Sequence, residues 1–413
     1  LKLPAFALSS RDLLKTRPYM RGTDVRRLQQ TLKWFGLYCG KVDGVFGPDT
    51  ERAVRKFQRL MKIKPTGIAD GIFFDVLQKM IEKGAGEWVT FKRDFCHTGH
   101  SPVFLGSSLE VSKLAKIKGL VALAAKRNAV FVAEENSIGA FDLGNKKFKW
   151  RKKISPSSMS LAPETVLVSA SSLVALDAYS GEAKFEFARD DFESPAVAKE
   201  DGVYASSRSG ALYALNWSGE IMWRYRASAD YITPLTLVSG FLYFGSLSGV
   251  YCLDDKGVLC WKARLPGLIK EPVSVFEKKA FAVNEEGCIF CLDAKTGKMI
   301  WNKNFGEKIL APCFLEKSAI VVTHSGKVVA LDAEDGNLEW EEDLNVPLAA
   351  LPLSCADAIF IPTDAGLVVL KPGGERVKTY FEGKSISHVI QARLGLLVAA
   401  DGYLWDFSPL ERL

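Results

Sequence analysis

The stretch Gly326-Lys327-Val328-Val329-Ala330-Leu331-Asp332-Ala333-Glu334-Asp335-Gly336-Asn337-Leu338-Glu339-Trp340 decides the fold. It opens on a short apolar run, the pattern of a strand buried on both faces. A polar turn follows, with a Gly where positive φ is expected. The segment closes on a tryptophan. Residues 287–301 repeat the phrase. Looser copies run from Asp142 to Trp150, from Asp177 to Phe185, from Asn216 to Trp223 and from Asp254 to Trp261. A degraded copy spans Lys371 to Tyr380, and Trp405-Asp406 begins the last. The corners at 142, 177, 216, 254, 293, 332, 371 and 406 are 35, 39, 38, 39, 39, 39 and 35 residues apart.

A period near 39 residues with about four strands per unit is that of propeller blades. A helical solenoid would need a 3.6-residue periodicity that these repeats lack. The sequence therefore predicts an all-β, eight-bladed propeller. Trp150, Trp223, Trp261, Trp301 and Trp340 each supply a large group to an inter-blade seam, an indole burying about 150–250 Å². Asp142, Asp177, Asp254, Asp293 and Asp332 read as turn formers that bond their own backbone, not as acids.

These repeats resemble the quinoprotein-type (PQQ-like repeat) β-propeller family, whose units follow G-x-(L/V)-x-A-L-D-A-x-T-G-x-x-x-W. Residues 287–301 and 326–340 match that pattern nearly in full. The stretch Trp88-Val89-Thr90-Phe91-Lys92-Arg93-Asp94-Phe95-Cys96-His97-Thr98-Gly99-His100-Ser101-Pro102 resembles the family's opening segment, which implies that residues 88–102 close the last blade. Enzymatic members hold a quinone on calcium, with an Asp base and often adjacent cysteines. No adjacent cysteine pair exists here, and eight such repeats leave little length for the insertions that build those pockets. No cofactor is expected.

The charge is unevenly placed. Residues 1–86 carry 17 Lys and Arg against 8 Asp and Glu, a net +9, while the remainder carries 37 against 40, a net −3. Within residues 19–86, Val25, Leu28, Leu32 and Phe35 mark one helix face, with Thr23 or Asp24 as its cap. Thr50, Ala53, Val54, Phe57 and Leu60-Met61 mark a second helix, starting at Pro48 or Asp49. A third is expected over 72–81. Asp43-Gly44 and Gly47 permit a tight turn that projects Phe46 inward. The pattern of Gly22, Val25, Leu28-Gln29, Leu32, Gly36, Asp43-Gly44, Phe46-Gly47, Thr50, Ala53-Val54, Phe57-Gln58, Gly67 and Leu77 resembles the peptidoglycan-binding-like three-helix domain. That resemblance implies a wall polymer or a protein as partner. Asp43, Phe46, Arg52, Arg55, Lys56, Arg59 and Lys62 are the candidate contact residues, the basic ones crowding the second helix.

Other chemistry finds little support. Cys96, His97 and His100 have zinc-compatible side chains but no fourth ligand at suitable spacing, so no metal is expected. Cys288 and Cys291 lie three apart on a strand and point to opposite faces. Cys252 and Cys260 would face each other if residues 255–257 close a hairpin, which makes them the candidate disulfide. No motif of a sequence-specific nucleic-acid reader accompanies the basic patch. No uncharged apolar run reaches the ~18 residues of a membrane helix. Eight cysteines without a disulfide framework suit a reducing compartment such as plastid stroma, whereas a peptidoglycan ligand suits the bacterial envelope; both stay open.

The expected organisation is an N-terminal extension (1–18), an all-α three-helix domain (19–86), a short joint near Glu82–Glu87 rich in Gly, and the propeller (87–413). The expected role is non-catalytic. The helical domain anchors to peptidoglycan or another polyanion, and the propeller face binds protein. The alternatives are a subunit or assembly factor of an organellar complex, with the wall-binding fold reused for protein or nucleic acid, and a quinone-dependent dehydrogenase.

Overall fold

The computed structural model describes residues 11–35, 37–38, 40–82, 87–90, 94, 97–103, 105, 109–227, 232–247 and 249–409. Three helices come first: α1 (Thr23–Trp34), α2 (Pro48–Leu60) and α3 (Gly71–Glu82). The side-chain cap expected from Thr23 or Asp24 does not form, because Gly22 is the N-cap and Asp24 is held by Arg11 at 2.9 Å. Pro48 opens α2, where its missing N–H is no loss. Asp70 caps α3, its Oδ1 accepting the Phe73 N–H at 2.9 Å. Val25, Leu28, Leu32, Phe46, Val54, Phe57 and Phe73 are fully buried between the helices. None of the described helices is long and apolar enough to cross a membrane.

Eight sheets follow among the described residues. Their first strands, in blades one to eight, are Leu120–Lys126, Ser158–Ala162, Val197–Lys199, Thr236–Val238, Ser274–Phe276, Cys313–Leu315, Leu353–Cys355 and Ile386–Ala392. These line the axis, and later strands of each blade step outward in antiparallel order. Middle strands are covered on both faces by neighbouring blades, so Gly202–Ser206 and Ala211–Leu215 are buried throughout. Outer strands such as Ile221–Arg226 alternate between exposed and half-buried residues. The core is accordingly a series of seams: Leu167, Leu173 and Phe185 of blade two pack with Val203, Tyr213 and Leu215 of blade three.

Five of the seams carry a tryptophan at the rim. Trp301 of blade five donates its Nε1–H to the Ala333 carbonyl of blade six at 3.3 Å. Its indole covers Gly336, where an added Cβ would lie 2.7 Å from the ring, and Gly336 has φ +75°. Turn geometry and the neighbour's indole thus exclude a side chain together. Trp150, Trp223 and Trp261 donate likewise to Ala178, Asp255 and Ala294 of the next blade, at 3.2, 2.8 and 3.1 Å. Trp340 lies against Gly374. The seam between blades eight and one differs. Leu109–Lys116 offers it no aromatic residue, and Lys146 takes the turn position at φ +53°.

The corner carboxylates accept backbone N–H groups of their own turns, as Asp177 does from Tyr179 and Ser180 and Asp254 from Lys256 and Val258. Asp142, Asp293 and Asp332 accept from Gly144, Thr296 and Glu334 in the same way. The Thr296 hydroxyl holds the Asp293 carboxyl below its usual range, keeping it an anionic acceptor. Asp406 is not a corner. It lies within Tyr403–Pro409, opposite Leu397 and Ser112.

The ring is closed by Leu109–Lys116, the outermost strand of blade eight, antiparallel to Tyr403–Pro409. This corrects the assignment of closure to residues 88–102, whose described members run along the axis. Glu87 and Trp88 pair with Lys126 and Ala125 of blade one, and the Val89 carbonyl accepts the Leu161 N–H of blade two at 2.6 Å. His97 Nε2 lies 2.9 Å from the Leu235 carbonyl at the start of blade four. The carbonyls of His97, Thr98 and Gly99 accept from Ser274 Oγ, Phe314 N and Ser354 N of blades five, six and seven. His100 and Ser101 pair in parallel with Ser354 and Cys355, and Ser101 Oγ reaches Gln391 of blade eight at 2.8 Å. The physical reason is edge chemistry. Inner strands of about three residues leave buried polar groups facing the axis, and this strap satisfies them. Closing blade eight requires a strand as long as Tyr403–Pro409.

Candidate functional site

The surface of the helical domain is organised by two buried glutamines. Gln29 on α1 sets its Nε2 2.9–3.1 Å from Tyr38 Oη, Asp43 Oδ1, the Val45 carbonyl and Thr50 Oγ1, which share its two N–H groups, and its Oε1 accepts the Gly44 N–H at 2.8 Å. Gln58 on α2 binds Thr66, Ile68 and Gly67 in the same manner. Each helix thus fixes the loop that follows it. The signal is legible in retrospect, as an apolar-Gln pair followed by a polar-Gly-apolar turn at Leu28-Gln29/Asp43-Gly44-Val45 and Phe57-Gln58/Thr66-Gly67-Ile68.

The candidate contact residues divide. Phe46 is fully buried, so its place among contact residues is corrected: it belongs to the core between the helices. Asp43 is committed to Gln29 and the Val45 N–H, both of which hold its carboxyl below the usual range. Arg55 clamps Glu51 at 2.9 Å and donates to the Pro65 carbonyl. Arg52 and Arg59 are exposed, Arg52 pairing with Asp49 one turn away. Lys56 and Lys62 face the propeller. Lys56 borders a small cavity of about 60 Å³ between Leu60 on α2 and Arg393, Gly395 and Asp406 of blade eight. Lys62 Nζ lies 4.0 Å from Asp357 of blade seven. Burial pushes the Asp406 carboxyl above its ordinary range, with Arg393 opposing that shift. Sequence reasoning missed this docking face because helical periodicity shows which residues share a face, not what covers it.

The propeller axis offers no open channel along the described strap. His97 is fully buried, and His100 Nδ1 lies 2.9 Å from Ser354 Oγ, so the two imidazoles are engaged at separate points of the ring. Among the described residues no group of three His, Cys, Asp or Glu could hold a metal ion. Cys39 and Cys96 lie outside the described residues; among the described cysteines Cys252, Cys260, Cys288 and Cys291 are free thiols. Cys252 stands opposite Trp261 rather than Cys260, because a bulge between Cys252 and Leu253 displaces the register. That corrects the expectation of a facing pair. Burial pushes the Cys252 and Cys291 thiols up to about 12, where they stay protonated.

Comparison with known proteins agrees with this division. Residues 21–77 match the family model described as putative peptidoglycan binding domain, and residues 246–385 match that described as outer membrane protein assembly factor BamB. A spore cortex-lytic enzyme of Bacillus cereus is 50% identical over 48 residues, 12% of this chain and 18% of that protein. The N-acetylmuramoyl-L-alanine amidase CwlH of Bacillus subtilis is 38% identical over 61 residues, 13% of this chain and 24% of that protein. The chain therefore spans less than a quarter of either relative. BamB from Moraxella catarrhalis superposes with a TM-score of 0.60 at 17% identity, over 72% of this chain and all of that one. Quinohemoprotein alcohol dehydrogenase from Comamonas testosteroni gives 0.65 at 13% identity, over 82% of each chain. At such identities these two likenesses concern the fold alone. Helices, repeats and family matches together identify the chain as a fusion of a peptidoglycan-binding-type helical domain with a PQQ-like, BamB-type eight-bladed propeller.

Proposed function

We propose that this is a non-catalytic interaction protein, in which the helical domain anchors to peptidoglycan or a comparable polyanion and the propeller is a protein-binding platform. The observation that carries the reading is the axial strap. Backbone of residues 97–101 occupies the middle of the ring, so ligand contact falls to the outer surfaces and not to a central reaction site. The anchoring half draws on the helical-domain family match and on its relatives among wall-lytic enzymes by name.

The platform half draws on the rim. Met222, Leu259, Ile300 and Leu338, at the starts of the outer strands of four successive blades, are 43–50% exposed. A protein partner laid across these blades would remove that apolar surface from water.

Arg52 and Arg59 are the basic residues of α2 that point outward, so reversing them tests the anchor. Arg52→Glu with Arg59→Glu is expected to weaken pelleting with purified peptidoglycan sacculi and to flatten its salt dependence. The melting temperature should hardly move, since exposed substitutions stay within about 0.5 kcal/mol. Unchanged pelleting would mean that the patch is merely solvated.

One observation favours a second reading. The thiols of Cys252, Cys260, Cys288 and Cys291 are free, which suits a reducing organellar compartment such as plastid stroma. There the chain would be a subunit or assembly factor of a larger complex, its helical domain holding protein or nucleic acid.

A further inference from the structure

A cleft of about 650 Å³ opens on the propeller where the first-to-second-strand turns of blades one, two and three converge. That volume falls within the range of small-ligand sites, roughly 300–1,000 Å³. Its floor is apolar, formed in part by Leu161 and Ala198, and one wall is Trp217. Trp217 is not a seam tryptophan. It follows the corner Asn216, at the position held by Ala178, Ala294 and Ala333 in other blades, so the repeat does not require an aromatic residue there. Its Nε1–H donates to the Glu200 carbonyl at 3.0 Å, which fixes the indole at the edge of the cleft.

Three ammonium groups border the same space. Lys184 is committed to the Glu164 carbonyl at 2.7 Å, Thr165 Oγ1 at 2.9 Å and Asp177 at 3.4 Å. Lys199 is bracketed by Asp255 at 2.7 Å and Asp201 at 3.0 Å. Lys126 differs. It is half-buried and donates to the Pro163 carbonyl at 3.2 Å, and it forms no ion pair with any described residue. Burial holds its pKa below the ordinary lysine value, with the Glu87 and Glu164 carboxylates opposing that shift. The carboxylates of Glu164 and Glu200 also border the cleft. They disfavour a ligand that is anionic throughout and favour one carboxylate set among hydroxyl and amide groups.

We propose that this cleft binds a carboxylated amino sugar, its apolar ring face on Trp217 and its carboxylate on Lys126. The choice of sugar rests on the wall-anchoring reading, which it deepens by giving the propeller its own contact with the same polymer. Hydroxyls and the N-acetyl group meet the Glu164 and Glu200 side of the cleft, and the apolar floor takes the ring edge.

Two sugars test the assignment on the intact chain. N-Acetylmuramic acid carries a lactyl carboxylate that N-acetylglucosamine lacks. Followed through the indole N–H resonance of Trp217, the first is expected to bind about tenfold more tightly, the worth of one charge-assisted contact. Lys126→Met should bring the two sugars to equal affinity, and Trp217→Ala, followed by calorimetric titration because the indole is gone, should abolish binding of both. Equal affinity for the wild-type chain, a Lys126→Met variant that keeps the preference, or no movement of the Trp217 resonance with either sugar would overturn the proposal. If Trp217→Ala fails to fold, the wild-type preference and the Lys126→Met variant decide alone. Sacculus pelleting separates the two ideas. Pelleting without a Trp217 response leaves the helical anchor standing and removes the cleft site; a Trp217 response that prefers the acid sugar, without pelleting, does the reverse.

Discussion

Replacing Trp301 by Ala is expected to destabilise the protein by about 3–5 kcal/mol, the range for truncating a large buried aromatic side chain. The indole is 9% exposed and packs with Phe281 and Phe314, while its N–H is anchored on the Ala333 carbonyl. Truncation therefore opens a cavity between blades five and six and removes the pin between them. Gly336→Ala attacks the same point from the other side. It places a Cβ 2.7 Å from the indole at a φ of +75°, and a left-handed conformation costs a residue other than Gly about 1–2 kcal/mol before any clash. The two changes share one contact, so the double variant should be less destabilised than the sum of the singles. Denaturant unfolding of the four proteins measures this. A Trp301→Ala variant that melts like the wild type would refute the placement of the seam tryptophans.

The second large effect concerns closure of the ring. A chain beginning at residue 103 retains Leu109–Lys116 and should still fold as a monomer, with a lower melting temperature because the axial strap is gone. A chain beginning at residue 117 lacks that strand. It exposes the edge of Tyr403–Pro409 and the side of Phe407, a fully buried ring packed on Tyr380 and Phe381. Aggregation or loss of the cooperative transition is expected, since an unpaired apolar edge recruits other chains. If the two truncations behaved alike, residues 109–116 would not be the closing strand.

The ring itself was legible in the sequence because a fixed period, a corner Asp and a terminal Trp recur together. Each has a local cause that survives without tertiary information. The closing strand was not legible in the same way. Leu109–Lys116 carries neither the corner nor the Trp, since its partner repeat begins almost three hundred residues later. The strap pairs mainly through carbonyls of His97, Thr98 and Gly99, and backbone pairing leaves no signature in side-chain type. Asp406 was misplaced for a related reason. Gly326 precedes its corner Asp332 by six residues, and the same step from Gly402 lands on Ser408. At Cys252 a one-residue bulge moved Trp261 into the facing position that even spacing gives to Cys260.

The helical domain shows a different limit. Its core, from Val25 to Phe73, follows from periodicity, and the contact residues do not. Arg52, Arg55, Lys56, Arg59 and Lys62 form one basic cluster in the sequence. In the fold α2 and the turn after it bring Lys56 and Lys62 to blades eight and seven and leave Arg52 and Arg59 outside. Which half of a charged helix meets a partner depends on what the other half is docked against.

The most direct test of the account is co-sedimentation of the intact chain, and of residues 87–413 alone, with purified peptidoglycan sacculi across a salt series. Anchoring through the helical domain predicts that the intact chain pellets strongly at low salt, while residues 87–413 keep at most a weak, sugar-competed fraction. Equal pelleting of the two proteins, or none by the intact chain at any salt concentration, would contradict it.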